Sequence, residues 1–197
     1  MNSFSLRFKA LFSVGIVLFS SLILFLSSYF FNIPFKLINE GEVLDQLDGV
    51  EVYFNGSSNH IDSRNSTVDG YNIGLRWQCV EFVKRYYLEV YSHKMPNSYG
   101  NAVDYFDSRI EDGSLSPDRA LIQCYNPSSH AISKGDILIF SGGYGHVAIV
   151  SQVLSDQIEI VQQNIGKETR EILEISRKND SLFIHHNSVL GWLSRPN

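Results

Sequence analysis

An α+β domain, with N-terminal helices packed on an antiparallel sheet and one transmembrane helix ahead of it, is the fold class that the sequence predicts. Three observations predict it. Apolar residues recur at three- and four-residue spacing after Trp77, short apolar or alternating runs follow one another from Ile137 onward, and an almost uninterrupted apolar stretch fills Ala10–Phe31. Helices first and a meander of strands after them make α+β architecture.

The apolar stretch comes first in the chain. Arg7 and Lys9 precede it, and roughly 20 apolar residues suffice to cross the hydrocarbon core of a membrane. A cleaved signal peptide has a shorter apolar region, of about 7–15 residues, and a small-residue cleavage site. Ser27-Ser28-Tyr29-Phe30-Phe31 offers no clean site of that kind, so an uncleaved anchor is the favoured reading and a cleaved signal the alternative. Basic residues on its N-terminal flank keep that end in the cytoplasm and put the body on the periplasmic or extracytoplasmic side. The expected layout is a short cytoplasmic N-terminus over 1–9, an anchor over 10–31, a linker over 32–40 and a catalytic domain over 41–197.

Within the body, the run Gly49 to Phe54 alternates as a strand should, and Asn55-Gly56 closes it as a turn. Asn59 to Gly70, rich in Ser, Asn and Asp, reads as an exposed loop. Val80, Val83, Tyr86, Tyr87 and Val90 then mark one face of a helix, with Cys79 on or just before its first turn. A second helix is expected over Asn101–Ile110, with Ala102, Tyr105, Phe106 and Ile110 inward. Strands are expected at Ile137–Phe140, His146–Ser151 and Gln157–Asn164, and further strands at Glu171–Ser176 and Phe183–His186. The Gly-rich loop Ser141–Gly145 joins the first two of these.

Composition narrows the function. Of 197 residues, 13 are Phe, 10 Tyr and 2 Trp, which suits a globular body. The net charge of −5, with no Lys/Arg-rich block, argues against nucleic acid as a partner. No C-x-x-C, H-E-x-x-H or acidic calcium loop occurs, so neither a metal nor an organic cofactor is called for. Two cysteines, Cys79 and Cys124, are too few for a disulfide scaffold, although they could pair with each other.

Cys79 reads in two ways. A free cysteine on an amphipathic helix serves well as a small core residue. At a helix N-terminus, unpaired N–H groups and the macrodipole can also lower its pKa and make it a nucleophile. An imidazole must then take the thiol proton, and of the six histidines His146 is best framed, because it follows a glycine loop and opens a strand. Gln162 and Asn164 share one face of the next strand and could orient that imidazole, while Gln163 points to the other. Gln78 carries an amide N–H suited to an oxyanion, and Trp77 and Gly145 are expected beside the substrate.

The blocks "WQCVEF", "GHVAIV", "QQN" and "LGW", in that order, resemble the CHAP family of cysteine- and histidine-dependent amidohydrolases and peptidases, most nearly its glutathionylspermidine amidase branch. The likeness runs from about Gly41 to Trp192. It implies a papain-like fold, Cys79 as nucleophile, His146 as base, Gln162 as the third residue with Asn164 after it, and Gln78 beside the oxyanion. Relatives of this branch carry Glu where this chain has Gln162. A neutral amide can still accept a hydrogen bond from the ring Nδ1–H and hold the tautomer. The ligase half of the bifunctional relatives is no part of the resemblance, so no ATP-dependent synthesis is implied. The expected function is therefore a membrane-anchored thiol amidase or peptidase. Peptidoglycan peptide or amide bonds are the first substrate class and a small peptide–polyamine conjugate the second. A catalytically inactive CHAP-fold binding module is the alternative of another kind.

Overall fold

The computed structural model describes residues 21–22, 38–57 and 60–196. The chain divides into two units, 1–37 and 38–197, and the first lies almost wholly outside the described residues. The anchor expected over 10–31 therefore falls outside them too, apart from Ser21 and Leu22. Among the described residues no helix is long and apolar enough to cross a membrane.

The second unit is mostly sheet with one helix. Strands β1 (Val43–Leu47) and β2 (Val50–Tyr53) form a hairpin around Asp48-Gly49, both with positive φ. An Asp-Gly pair in that conformation makes the two-residue turn whose twist suits antiparallel strands. Strands β3 (Arg64–Ser66) and β4 (Asn72–Leu75) form a second hairpin, so the segment 59–70 contains a strand where an exposed loop was expected.

Helix α1 (Cys79–Tyr91) follows. Its buried aromatic and aliphatic face is Phe82, Val83, Tyr86 and Tyr87, each worth about 1.5–3 kcal/mol when fully buried. The helix ends where Ser92 turns left-handed, with the Ser92 and His93 amides donating to the Leu88 and Tyr87 carbonyls. The second expected helix shrinks to a single 3-10 turn, Ala102–Tyr105. Other partners hold the backbone groups that a longer helix would need. Arg119 donates to the Asp104 carbonyl, Gln123 bonds both the N–H and the C=O of Asp107, and the Tyr125 hydroxyl donates to the Ile110 carbonyl. The expectation of N-terminal helices is thus corrected to one helix and one turn.

The remaining strands are β5 (Ser114–Ser116), β6 (Leu121–Tyr125), β7 (Ile137–Phe140), β8 (His146–Val153), β9 (Gln157–Val161), β10 (Arg170–Lys178), β11 (Ser181–Ile184) and β12 (Val189–Ser194). They form one antiparallel sheet in the order β11-β10-β9-β8-β7-β12-β6-β5. The sheet curls, and the Asn126 side chain bonds both the N–H and the C=O of Ile184 at its far edge.

Apolar residues fill both faces of the central strands. Ile137, Ile139, Val147, Ile149, Val161 and Leu193 pack with Cys79 and the helix; Leu138, Phe140, Ala148, Val150, Ile160 and Trp192 pack with Cys124 on the other side. Both cysteines are free and buried, each in its own core, so the pairing that the sequence left open does not form.

Candidate active site

Gln78 is extended (φ −77°, ψ 160°) and caps the helix, which makes Cys79 its first residue. Two contacts hold this start. Strand β4 crosses it so closely that a Cβ on Gly74 would lie 3.0 Å from the Glu81 Cα. The Gln78 carbonyl accepts from the Phe82 amide at 3.2 Å and from Gln163 Nε2 at 3.1 Å. Gln163, 1% exposed, also donates to Glu81 at 3.1 Å and accepts from the Tyr53 amide at 2.7 Å. Glu81 is wholly buried, with Arg85 at 2.8 Å and Asn65 at 3.0 Å as further partners. Neither Glu81 nor Gln163 stood out in the sequence as part of the site's frame.

His146 opens β8 opposite Phe140, against whose ring it packs. Its Nε2 pairs with Gln162 Oε1 at 2.9 Å. The expectation had this bond at Nδ1; made at Nε2, it leaves Nδ1 available for the thiol. The Cys79 sulfur is met by the backbone N–H of Val147, the residue after His146, and by those of Val80 and Cys79 itself. The helix start thus touches the head of β8, and nucleophile candidate and base candidate face one cleft.

Burial pushes the Cys79 thiol above its usual value, against backbone N–H groups that act to lower it. It also pulls the His146 imidazole below its usual value, against the opposing influence of Gln162 and the Glu171 carboxylate. Both shifts favour the neutral form of each group.

Both residues line a cleft of about 780 Å³, shared with Gln78, Gly145 and Asn164. Trp77 is not among its lining residues. Its ring instead stacks on Tyr53, with centroids 4.0 Å apart. Asn164 lies beyond the end of β9 and is left-handed (φ 72°), so strand alternation does not carry to it. Its amide donates to Gln78 Oε1 and its carbonyl accepts from Asn55 at 2.8 Å, while Gln162 meets His146. Gln78 Nε2 donates to the His60 carbonyl at 2.7 Å, which uses one of its two hydrogens. Gly145 (φ 76°) sits so close to the 3-10 turn that a Cβ would lie 2.4 Å from the Val103 nitrogen. Arg64, not singled out in the sequence, is the one Lys or Arg among the described lining residues, and no Asp or Glu lines the cleft with it.

Asp112, Cys124 and His130 form a separate group whose ligand-type atoms lie within 4.8 Å of one another, and none of them lines the cleft. Ser128 donates to Asp112 at 2.8 Å and pairs with His130 at 3.1 Å. Burial, with the nearby Asp112 and Asp136 carboxylates, pushes the Cys124 thiol up to about 12.

Comparisons with known proteins support a class, the hydrolases of the amidase or peptidase kind. The CHAP domain matches residues 69–164. The chain is 27% identical over 145 residues to the bifunctional glutathionylspermidine synthetase/amidase of Escherichia coli (strain K12), covering 65% of this chain and 23% of that protein. It is 24% identical over 186 residues to the glutathionylspermidine synthase of Crithidia fasciculata, covering 75% of this chain and 25% of that one. The chain thus spans about a quarter of the length of these curated relatives.

Proposed function

We propose that the chain is a cysteine-dependent amide hydrolase working through a thioester. The observation that carries this reading is the meeting of Cys79 and His146 at one cleft, with the imidazole held through Nε2 by Gln162. Cys79 Sγ attacks the amide carbonyl while its proton passes to His146 Nδ1. The Cys79 backbone N–H and the remaining Gln78 amide hydrogen are donors for the oxyanion. Collapse of the tetrahedral adduct breaks the C–N bond, and the imidazolium gives its proton to the leaving amine. Water then attacks the thioester, losing a proton to His146, and the carboxylic acid leaves as the thiol is restored.

The substrate proposed first is a peptidoglycan peptide or amide bond, reached by an anchored domain outside the cytoplasm. Arg64 supports an acyl portion bearing a carboxylate, and a cleft lined by no Asp or Glu gives a polycationic chain little to bind. A glutathionylspermidine-type conjugate is the second reading, supported by the relatives' names. Both are tested by incubating the full chain with purified muropeptides and with glutathionylspermidine, beside Cys79→Ala and His146→Ala variants. Hydrolysis abolished by either substitution is expected. Hydrolysis unaffected by Cys79→Ala sinks the mechanism, and cleavage of the polyamine conjugate alone reverses the substrate order.

A further inference from the structure

Gln162 is 3% exposed, and both ends of its amide are engaged. Oε1 faces His146 Nε2 at 2.9 Å, and Nε2 donates to Glu171 Oε2 at 3.1 Å. The amide of Gln162 can take two orientations that differ only in which end is oxygen. One presents an acceptor to the imidazole and places the ring proton on Nε2, leaving a lone pair on Nδ1 for the thiol proton. The other presents NH₂, draws the proton to Nδ1 and leaves the ring unable to act as the base. A carboxylate settles the choice, because an ionised carboxylate only accepts.

We propose that Glu171 is a positioning residue that locks the Gln162 amide and thereby fixes the His146 proton on Nε2. The placement follows from the hairpin of β9 and β10. Glu171 lies opposite Ile160, and Gln162 follows the last residue of β9. The neighbouring Arg170 turns to Asp45 and Glu159, so its cation is already paired. Of the other groups around the ring, the Cys79 thiol reaches the head of β8, and His186 packs on the Phe140 ring. The Glu171 charge favours the imidazolium that forms during attack. The carboxylate thus acts one residue removed from the ring, through an amide that carries its directional preference forward.

This inference rests on the proposed hydrolase for its kinetic consequence but not for its structural one. The test is the ¹⁵N signature of His146 in the full chain labelled at histidine, with Glu171→Leu and with the exchange pair Gln162→Glu plus Glu171→Gln. The unsubstituted protein is expected to show the Nε2–H tautomer. Glu171→Leu is expected to give a mixture of both tautomers and, where a substrate is turned over, about a tenfold loss in kcat with KM unchanged. The exchange pair puts an acceptor-only group directly on the ring, so it restores the Nε2–H signature. A pure Nε2–H signature in Glu171→Leu, or failure of the exchange pair to restore it, overturns the proposal. Should no amide be cleaved while the tautomers respond as stated, the hydrolase reading fails and the positioning role stands.

Discussion

Gln163→Leu tests whether the helix start is held by the strut described above. Leucine is close in size and keeps the site filled, so the loss is mainly of hydrogen bonds. The Tyr53 amide, bonded to Gln163 at 2.7 Å, is left without that acceptor at a cost of about 1–3 kcal/mol. Glu81 loses a charge-assisted donor worth about 1.5–3 kcal/mol but keeps Arg85 and Asn65, so the lower end applies. The Gln78 carbonyl keeps the Phe82 amide and loses little. Apolar burial of the new side chain returns about 1 kcal/mol. The net expectation is a loss of about 2–4 kcal/mol, or roughly 5–15 °C in Tm for a domain of this size. Thermal and urea unfolding of the full chain, followed by circular dichroism, measures it. The cap that presents Cys79 also loosens, so turnover should fall even at temperatures where the variant stays folded. A loss under about 1 kcal/mol with undiminished turnover would refute the reading of Gln163 as the strut.

Three other outcomes are expected. The rate requires a neutral imidazole, and burial lowers the His146 pKa from its ordinary 6.5, so the acidic limb of the kcat/KM profile should fall below pH 6.5. In the same range the unfolded chain binds a proton that buried His146 refuses, so this group's contribution to stability is lost as pH falls below 6.5; pH-dependent melting checks the sign. Gly145→Ala forces a Cβ to within 2.4 Å of the Val103 nitrogen at a φ of 76°, so a loss of about 1–3 kcal/mol and a lower kcat should appear together in melting and turnover assays.

Much of the fold is legible in the sequence because its signals are local. The three- and four-residue spacing of Val83, Tyr86 and Tyr87 brings one face of α1 inward, and the apolar run Ile137–Phe140 is a strand buried on both faces. The second helix misleads for a nonlocal reason: Asn101 and Asp104 form a capping box that starts a helix, and Arg119, Gln123 and Tyr125 then claim the backbone beyond it. Strand β3 hides in a polar segment because its pairing with β4, rather than any apolar alternation, defines it. In the site, Cys79 and His146 are legible by their positions at a helix start and a strand head. Asn164 misleads because the strand stops at Val161 and the chain turns left-handed. Glu171 is illegible as a partner of Gln162, since only the register of β9 against β10 brings the two together.

The surroundings of the helix start show why burial favours the neutral forms of Cys79 and His146. Glu81 stands in the first turn, where a carboxylate would oppose a thiolate at Cys79, and Arg85 and Gln163 absorb its charge instead. What remains for the sulfur is a set of backbone N–H groups, and burial disfavours the anion against them. Moving the proton from Sγ to His146 creates a contacting ion pair with no net charge, and the same low dielectric that penalises each ion alone strengthens their attraction. A carboxylate placed directly on the imidazole would add a net negative charge and favour the imidazolium in the resting state. With the amide of Gln162 interposed, the proposed positioning role of Glu171 combines direction with a weaker field at the imidazole.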